Sequence, residues 1–276
     1  MYSDLYIYWI NRALTEEEEK SLGKSFIGNW VEDDFSFLFF SEDALKIIKK
    51  LMQKDSNLRI LDHYHMTYEQ WQGELYDSIQ IDKFLIIPPW HKTIEIKDGL
   101  IPISLDPGVV FGNCLHPSTR HCLNAISWLL ERYNAKKVLD LGTGTGILAI
   151  AAARLGAERI IAVDINPLCI KTANKNIVLN GLEDRIETIC ARAEDTISQH
   201  RDADLVIANL SYEVILKLIN LSDFLDIDKA ILSGMLRSQW ADIKSRLIKK
   251  GYDIAREWDH EMIWHTAMVI KGGITT

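Results

Sequence analysis

The sequence predicts an α/β protein in two parts: a small ferredoxin-like α+β unit, then a doubly wound parallel sheet with helices on both faces. Three observations predict it. Over the first 68 residues, strand-like and helical stretches follow one another as β-α-β-β-α-β, the order of the split β-α-β unit. From Ser118 onward helices and strands alternate, the pattern of a parallel sheet that binds ligands at the C-terminal ends of its strands. Glycines 142, 144 and 146 follow a strand-like run and open a helical one, so backbone can approach a ligand closely there and helix N–H groups face it.

Each element of the first part has a local reason. LYIYWI is an apolar, β-branched and aromatic run; Thr15 to Lys24 is helical, with Thr15 as N-cap and the acids of TEEEEK at the favourable end of the helix dipole. FIGNWVE and FSFLFF read as strands around the turn Glu32-Asp33-Asp34, Glu42 to Gln53 as an amphipathic helix, and LRILDHYHM as a strand. Residues 69–105 are less regular, with EQWQGELYD helical in pattern and a break at Pro88-Pro89-Trp90. The expected division is therefore a ferredoxin-like unit over 1–68, a linker and lead-in over 69–105, and the parallel-sheet domain over 106–276.

The second part begins with the helix STRHCLNAISWLLERY. Then follow the strand KKVLDLG, the helix ILAIAAARLG, the strand RIIAVDI, the helix LCIKTANKNIVLNG, and the strands RIETIC and DLVIANL. Each run switches between the helical period and the strand period as its neighbour begins.

Composition narrows the class. At 276 residues the chain has room for one domain and a smaller companion, and 47% hydrophobic with 25% charged residues is ordinary for a globular protein. No apolar run nears the ~18 to 20 residues that cross a bilayer, and MYSDLYIYWI lacks a basic segment and a small-residue cleavage site. A soluble protein of the cytoplasm is expected. Cys114, Cys122, Cys169 and Cys190 never fall into C-x-x-C spacing, and the pairs His63/His65 and His260/His265 lack ligand-spaced partners, so neither a metal nor a disulfide framework is expected. Net charge is −8, and residues 1 to 75 hold 14 acids against 8 bases. That balance repels nucleic acid and membrane phosphates and suits either a basic protein partner or plain solubility.

The glycine loop is specific about its ligand. A P-loop would need Gly-Lys-Ser/Thr, and a dinucleotide fingerprint G-x-G-x-x-G, whereas this loop is G-x-G-x-G. Asp140, two residues before the first glycine, can accept from a cationic amino group but would repel a pyrophosphate. Asp164, ending the next strand, can accept from both ribose hydroxyls. An amino acid joined to a nucleoside without phosphates satisfies all three features: S-adenosylmethionine, leaving S-adenosylhomocysteine as product. The alternatives are a tight turn with Asp140 capping the helix, or a nicotinamide site.

The chain resembles the PrmA family, the methyltransferases that modify ribosomal large-subunit protein eleven. VLDLGTGTGILAIAA, AVDINPLCIKTANKN, DLVIANL and ILSGMLRSQ are similar to the family's loop, ribose strand, fourth strand and fifth strand. So are PPW, DPGVVFG, the His-Pro-Ser-Thr of FGNCLHPSTR, and REWDHEMIWHTAMVIK. The resemblance implies a class I S-adenosylmethionine-dependent methyltransferase domain behind a ferredoxin-like substrate-recognition domain. It implies methyl transfer to lysine or other amino groups of a basic, ribosomal protein.

Candidate residues follow. Asn209, at the end of the fourth strand, is the expected acceptor for the substrate amine and a cofactor neighbour, or else a strand-end cap. Tyr212 resembles an Asn-x-x-Tyr turn and can wall the pocket or merely pack. The cofactor set is Asp140, Gly142, Thr143, Gly144, Gly146, Asp164 with Ile165, and Ala193 with Glu194, where Glu194 can accept from the adenine amino group or serve as a surface carboxylate. The resemblance adds Phe111, Gly112, His116 and Thr119, folded over the cofactor. Two departures stand out: the family's F-G-T-G-x-H is FGNCLH here, and its N-I-L with small residues is NLSYEV. Both lie beside the methyl donor or acceptor, so the alternatives are a different protein substrate, or a cofactor-binding pseudoenzyme with Leu115 blocking the amine path.

Overall fold

The computed structural model describes residues 3–32, 34–73, 77–91 and 95–272, and its contacts divide the chain into two units, Met1–Tyr76 and Asp77–Thr276. In the first unit, strands β1 (Asp4–Ile10), β2 (Phe26–Glu32), β3 (Phe35–Phe40) and β4 (Ile60–Thr67) form one sheet in the order β2-β3-β1-β4. All neighbours are antiparallel. Helices α1 (Glu16–Lys20) and α2 (Leu45–Lys54) alternate with these strands, and α3 (Tyr68–Gln72) follows them. Tyr8, Ile10, Leu38 and Phe40 of the sheet pack with Leu22, Ile48, Leu51 and Leu58 in one buried cluster.

Both helices are shorter than their sequence patterns suggest, for local reasons. Thr15 and Glu18 make a reciprocal capping box, and the chain leaves helical geometry before Gly23, which sits at φ 83°. The helix expected from Glu42 begins at Leu45 because the Asp43 carboxylate accepts from the Leu45 amide at 2.9 Å and from the Tyr8 hydroxyl at 2.6 Å. Arg12 reaches both Glu18 (2.7 Å) and Asp55 (2.8 Å). Part of the acidic charge at the front of the chain is therefore committed to holding the unit together. Asp33 of the expected turn, and residues 74–76 of the expected helical stretch, lie outside the described residues.

The second unit begins earlier than the sequence suggests. Within the stretch expected to be linker, β5 (Ile79–Ile81), β6 (Phe84–Ile87) and β7 (Ile101–Ser104) form a three-stranded sheet. Its apolar side chains, Ile81, Phe84, Ile86 and Ile103, enter the same core cluster as Cys122, Leu123 and Ile126. Three or four residues per strand give too short an alternation to register as a period, so only the packing shows this sheet.

There follow α4 (Pro117–Leu130), β8 (Lys137–Leu141), α5 (Ile147–Arg154), β9 (Arg159–Asp164), α6 (Pro167–Leu179), β10 (Ile186–Cys190), α7 (Ala193–Ile197), β11 (Leu205–Asn209), α8 (Tyr212–Asn220), β12 (Lys229–Leu236), α9 (Arg237–Lys249), β13 (Tyr252–His260) and β14 (Trp264–Lys271). The seven strands lie in the order β10-β9-β8-β11-β12-β14-β13. The first five are parallel and β14 runs antiparallel between β12 and β13. This is the Rossmann-like methyltransferase fold. Buried clusters line the two faces of the sheet, one including α4 and α5, the other α8 and α9. No helix among the described residues is long and apolar enough to cross a membrane.

Behind the sheet, the buried Tyr252 hydroxyl lies 2.8 Å from both the Phe224 and the Ile227 carbonyl oxygens, sharing its proton between them. Tyr252→Phe removes the donor and keeps the ring. It is expected to lower unfolding free energy by ~1–3 kcal/mol, read as a lower urea midpoint at unchanged slope.

Candidate active site

At the C-terminal ends of β8, β9 and β11 the strand order reverses, and the crevice of a doubly wound sheet opens there. The glycine loop fills that position. The amides of Gly142 and Thr143 both donate to the Val163 carbonyl, at 2.8 and 2.9 Å, and Gly146 N donates to Thr143 O at 2.8 Å. Glycines 142, 144 and 146 have φ of 77°, 54° and 84°, the left-handed region that side chains resist. Space forbids a side chain as well: a Cβ on Gly144 would lie 2.7 Å from the Phe111 carbonyl oxygen, and one on Gly142 2.2 Å from Leu210 Cδ2.

The Phe111–Gly112 segment is thereby laid against the loop, with Thr145 Oγ1 donating to Gly112 O at 3.0 Å. Asn176 completes the stitching. Fully buried on α6, its side chain donates to Asp106 O (2.9 Å) and Thr145 O (2.8 Å) and accepts from Asp106 N (2.8 Å). Sequence reasoning passed over Asn176; the signal was an asparagine on the buried stripe of an otherwise ordinary helix.

Two carboxylates face this loop. Asp140 is fully buried. Its Oδ2 accepts from the Thr143 hydroxyl at 2.6 Å and its Oδ1 has no hydrogen-bond partner. Burial pushes its pKa up to about 7, with the Thr143 hydroxyl and the Ala149 amide opposing the rise and Asp164 adding to it. Asp164 accepts from Gly144 N at 3.0 Å on one oxygen and from Asn166 N at 2.9 Å on the other. Burial raises its pKa as well. The Cys169 thiol and the Ile165 amide also donate to this carboxylate.

On the far side, His116 caps α4: its Nδ1 accepts from the Ser118 amide at 3.3 Å and lies 2.8 Å from Ser118 Oγ. That acceptor role puts the neutral ring's proton on Nε2. Burial and the nearby His260 hold its pKa below the usual value. The ring edge meets Trp264 with centroids 4.7 Å apart. Thr119 is buried in the first turn of the helix, while Phe111 is 77% and Ile165 64% exposed.

Asn209 ends β11 in register with Ser233 of β12, and its side-chain amide makes no hydrogen bond to any described residue. Gly234, at φ 92°, comes so near that a Cβ there would stand 3.2 Å from Asn209 Oδ1. Tyr212 makes the packing contact that is one of its two expected roles: its hydroxyl donates to Asp242 Oδ2 (2.9 Å), which Arg246 Nε also reaches (2.7 Å). This is a packing arrangement between α8 and α9, with no free hydroxyl beside Asn209. Ala193 opens α7, and Glu194 pairs with Arg192 at 3.5 Å and Lys217 at 3.8 Å. No cluster of three or more His, Cys, Asp or Glu side chains able to hold a metal occurs among the described residues.

Against known proteins, residues 16–271 match the family model of ribosomal protein L11 methyltransferase (PrmA). The chain belongs to that family. It is 34% identical over 198 residues to the ribosomal protein L11 methyltransferase of Heliobacterium modesticaldum, covering 70% of this chain and 60% of that one. With the Bacillus pumilus protein of the same name it is 34% identical over 230 residues, or 79% and 72% of the two chains. The crystal structure of a ribosomal protein L11 methylase from Lactobacillus delbrueckii subsp. bulgaricus superposes with a TM-score of 0.61 at 30% identity, covering 71% of this chain and all of that one. The matched segment thus spans about three fifths of the Heliobacterium relative's length.

Membership in the PrmA family gives the FGNCLH departure a structural meaning. Cys114, where the family motif has its second glycine, sits at φ 65°. The turn is kept without glycine because the Asn113 side chain accepts from Leu115 N (3.1 Å), Arg120 Nε donates to Cys114 O (3.1 Å), and the thiol is fully buried in the core. Burial raises the thiol pKa to about 12, which keeps it protonated. Leu115 is 42% exposed.

The close approach of Phe111 to the loop is directly testable. Gly144→Ala combines a left-handed φ with a backbone clash and is expected to destabilise the protein by roughly 1–3 kcal/mol, measured by thermal or urea unfolding.

Proposed function

We propose that this protein is an S-adenosylmethionine-dependent methyltransferase that modifies lysine or other amino groups of a ribosomal large-subunit protein in the cytoplasm. The observation that carries the reading is Asp140: a buried carboxylate under a glycine loop, with one oxygen partnered and the other bare. A buried acceptor without a donor is costly, and the ammonium of an amino-acid moiety, directly or through water, is the donor this site lacks. A pyrophosphate offers no such donor. Asp164, a carboxylate at the end of β9, suits two vicinal hydroxyls. The residues present therefore fit S-adenosylmethionine, and family membership supports the same cofactor.

When bound, S-adenosylmethionine supplies an electrophilic methyl on a sulfonium centre. The protein's part is to position a neutral amine in line with it. A lysine must lose a proton to solvent from a reference pKa of ~10.4 before it attacks; desolvation favours the neutral amine, and an uncharged acceptor orients its N–H without adding the carboxylate charge that would favour the ammonium. Asn209 serves this role, its free amide oxygen standing at the strand end beside Gly234. His116, protonated on Nε2 and held by Ser118, is a fixed donor at the opposite wall. Phe111, Gly112 and Thr119 complete that wall, and Thr143 orients Asp140. Ala193 and Glu194 flank the adenine end with Ile165. Exposed acids of the first unit, such as Glu16 and Glu17, attract a basic protein substrate.

Two expected outcomes check this. Asp140 is neutral in the free protein below about pH 7, whereas its unfolded value is near 3.8, so its stabilising contribution is present below about pH 4 and lost as pH rises through 7. An ammonium ligand favours the ionised form. Affinity for S-adenosylhomocysteine is therefore expected to rise about tenfold from pH 6 to pH 8, with proton release at pH 6 by calorimetry in two buffers; Asp140→Asn flattens the profile and weakens binding. Asn209→Ala is expected to lower kcat for transfer to ribosomal protein L11 by at least about tenfold. S-adenosylhomocysteine affinity should stay within about twofold; equal losses of both would make Asn209 a cofactor contact only.

A further inference from the structure

A shallow, open groove of about 480 Å³ lies on the same edge of the sheet as Asn209, lined by Leu236, Arg237, Ser238, Ala241, Met262 and Ile263. Nothing in the cofactor machinery uses it. It is continuous with the amine position through the backbone: Asn209 pairs with Ser233, Gly234 packs against the Asn209 side chain, and Leu236 begins the groove wall two residues later. At about 3.3 Å per residue that separation is roughly 7 Å, the reach of one or two residues of a bound polypeptide.

Three features mark the groove as more than a surface dent. Its apolar members are held in water: Leu236 is 41%, Ile263 47% and Met262 65% exposed. The turn that presents them is strained, because Glu261 and Met262 both adopt left-handed geometry, at φ 51° and 58°, with no glycine in either place. Tight hairpin turns with two such residues ordinarily use Asn-Gly or Asp-Gly, and each L-residue there costs ~1–2 kcal/mol. Asp259 Oδ1 accepts from Met262 N at 3.1 Å and secures the turn. Finally, Arg237 makes no ion pair with a carboxylate among the described residues; its Nη1 donates to Met262 Sδ at 3.8 Å. An exposed arginine beside an apolar groove asks for an oxyanion attached to an apolar group.

We infer that this groove reads the acceptor polypeptide next to the methylated amine, seating an apolar side chain against Leu236, Met262 and Ile263 and pairing an aspartate or glutamate with Arg237. The inference rests on the methyltransferase reading above and names what that reading leaves open: which amine is chosen. General attraction of a basic substrate brings many lysines near the site. A local acidic and apolar pair fixes which one enters. Arg237 is in this sense a specificity residue, remote from the reacting atoms.

The test measures steady-state methyl transfer to purified ribosomal protein L11 for the unaltered protein, Arg237→Glu, Arg237→Lys and Met262→Asp, with S-adenosylhomocysteine affinity measured on the same preparations. Arg237 opens α9, where a glutamate is compatible with the helix dipole, so Arg237→Glu is expected to fold. The expected result is a KM for the ribosomal protein raised at least tenfold in Arg237→Glu and Met262→Asp. In both, kcat and S-adenosylhomocysteine affinity stay within about twofold, and Arg237→Lys stays close to the unaltered KM. Replacing the acceptor's acidic residues near its methylated amine by lysine should restore KM for Arg237→Glu. An unchanged KM in both variants, with transfer intact, overturns the inference and leaves the methyltransferase reading standing. Parallel loss of cofactor affinity and transfer overturns it in favour of a structural role. No transfer by the unaltered protein overturns both readings together.

Discussion

The site depends on one steric constraint: at the reversal point of the sheet, the Phe111 backbone and the Leu210 side chain both press against the glycine loop. The Phe111 carbonyl, the Gly142–Gly146 loop and Leu210 occupy space that a single methyl group at residue 142 or 144 would already fill. Glycine is needed there for the left-handed φ and for the missing Cβ alike. Once that approach is made, the rest follows by short hydrogen bonds. Thr145 holds Gly112, Asn176 holds both Thr145 and Asp106, and Val163 receives two amides of the loop. A segment far ahead of the first parallel strand thus becomes a wall of the crevice.

The electrostatics of the crevice come from that enclosure. Asp140 and Asp164 stand at the ends of adjacent strands, both desolvated and both raised in pKa by burial. They are not equivalent. Asp164 is satisfied by the Gly144 and Asn166 amides with the Cys169 thiol beside them, whereas one oxygen of Asp140 lacks a partner. One carboxylate is ready for neutral hydroxyl donors and the other for a cation. On the proposed reading, that difference suits a cofactor with a free amino-acid end better than a dinucleotide.

The two departures from the family pattern resolve differently in three dimensions. Cys114 keeps a glycine-like turn at a cost of ~1–2 kcal/mol, offset by burying its thiol and by the Asn113 and Arg120 hydrogen bonds. The NLSYEV segment places a tyrosine whose hydroxyl is committed to Asp242. Both substitutions preserve the frame around the crevice. Differences in what the protein selects are better sought further along the strand edge, where Met262 and Arg237 stand exposed.

Much of this was legible in the residues. Period and order determined the β-α-β-β-α-β unit and the alternating second part, because long amphipathic stretches leave a pattern that local sterics enforce. The G-x-G-x-G spacing with Asp140 and Asp164 was legible as one β-α-β unit's loop and two carboxylates, because those residues lie at fixed distances along it. What the tertiary structure alone decided has the opposite character. The strands between Ile79 and Ser104 are too short to show a period, and owe their existence to a shared core. The lone oxygen of Asp140, the commitment of the Tyr212 hydroxyl, the buried bonds of Asn176 and the unpaired Arg237 beside Met262 all depend on partners about 20 to 70 residues away or on their absence. A linear pattern carries the preferences of a residue for its neighbours in sequence; only the folded chain determines which distant groups meet, and which are left without a partner.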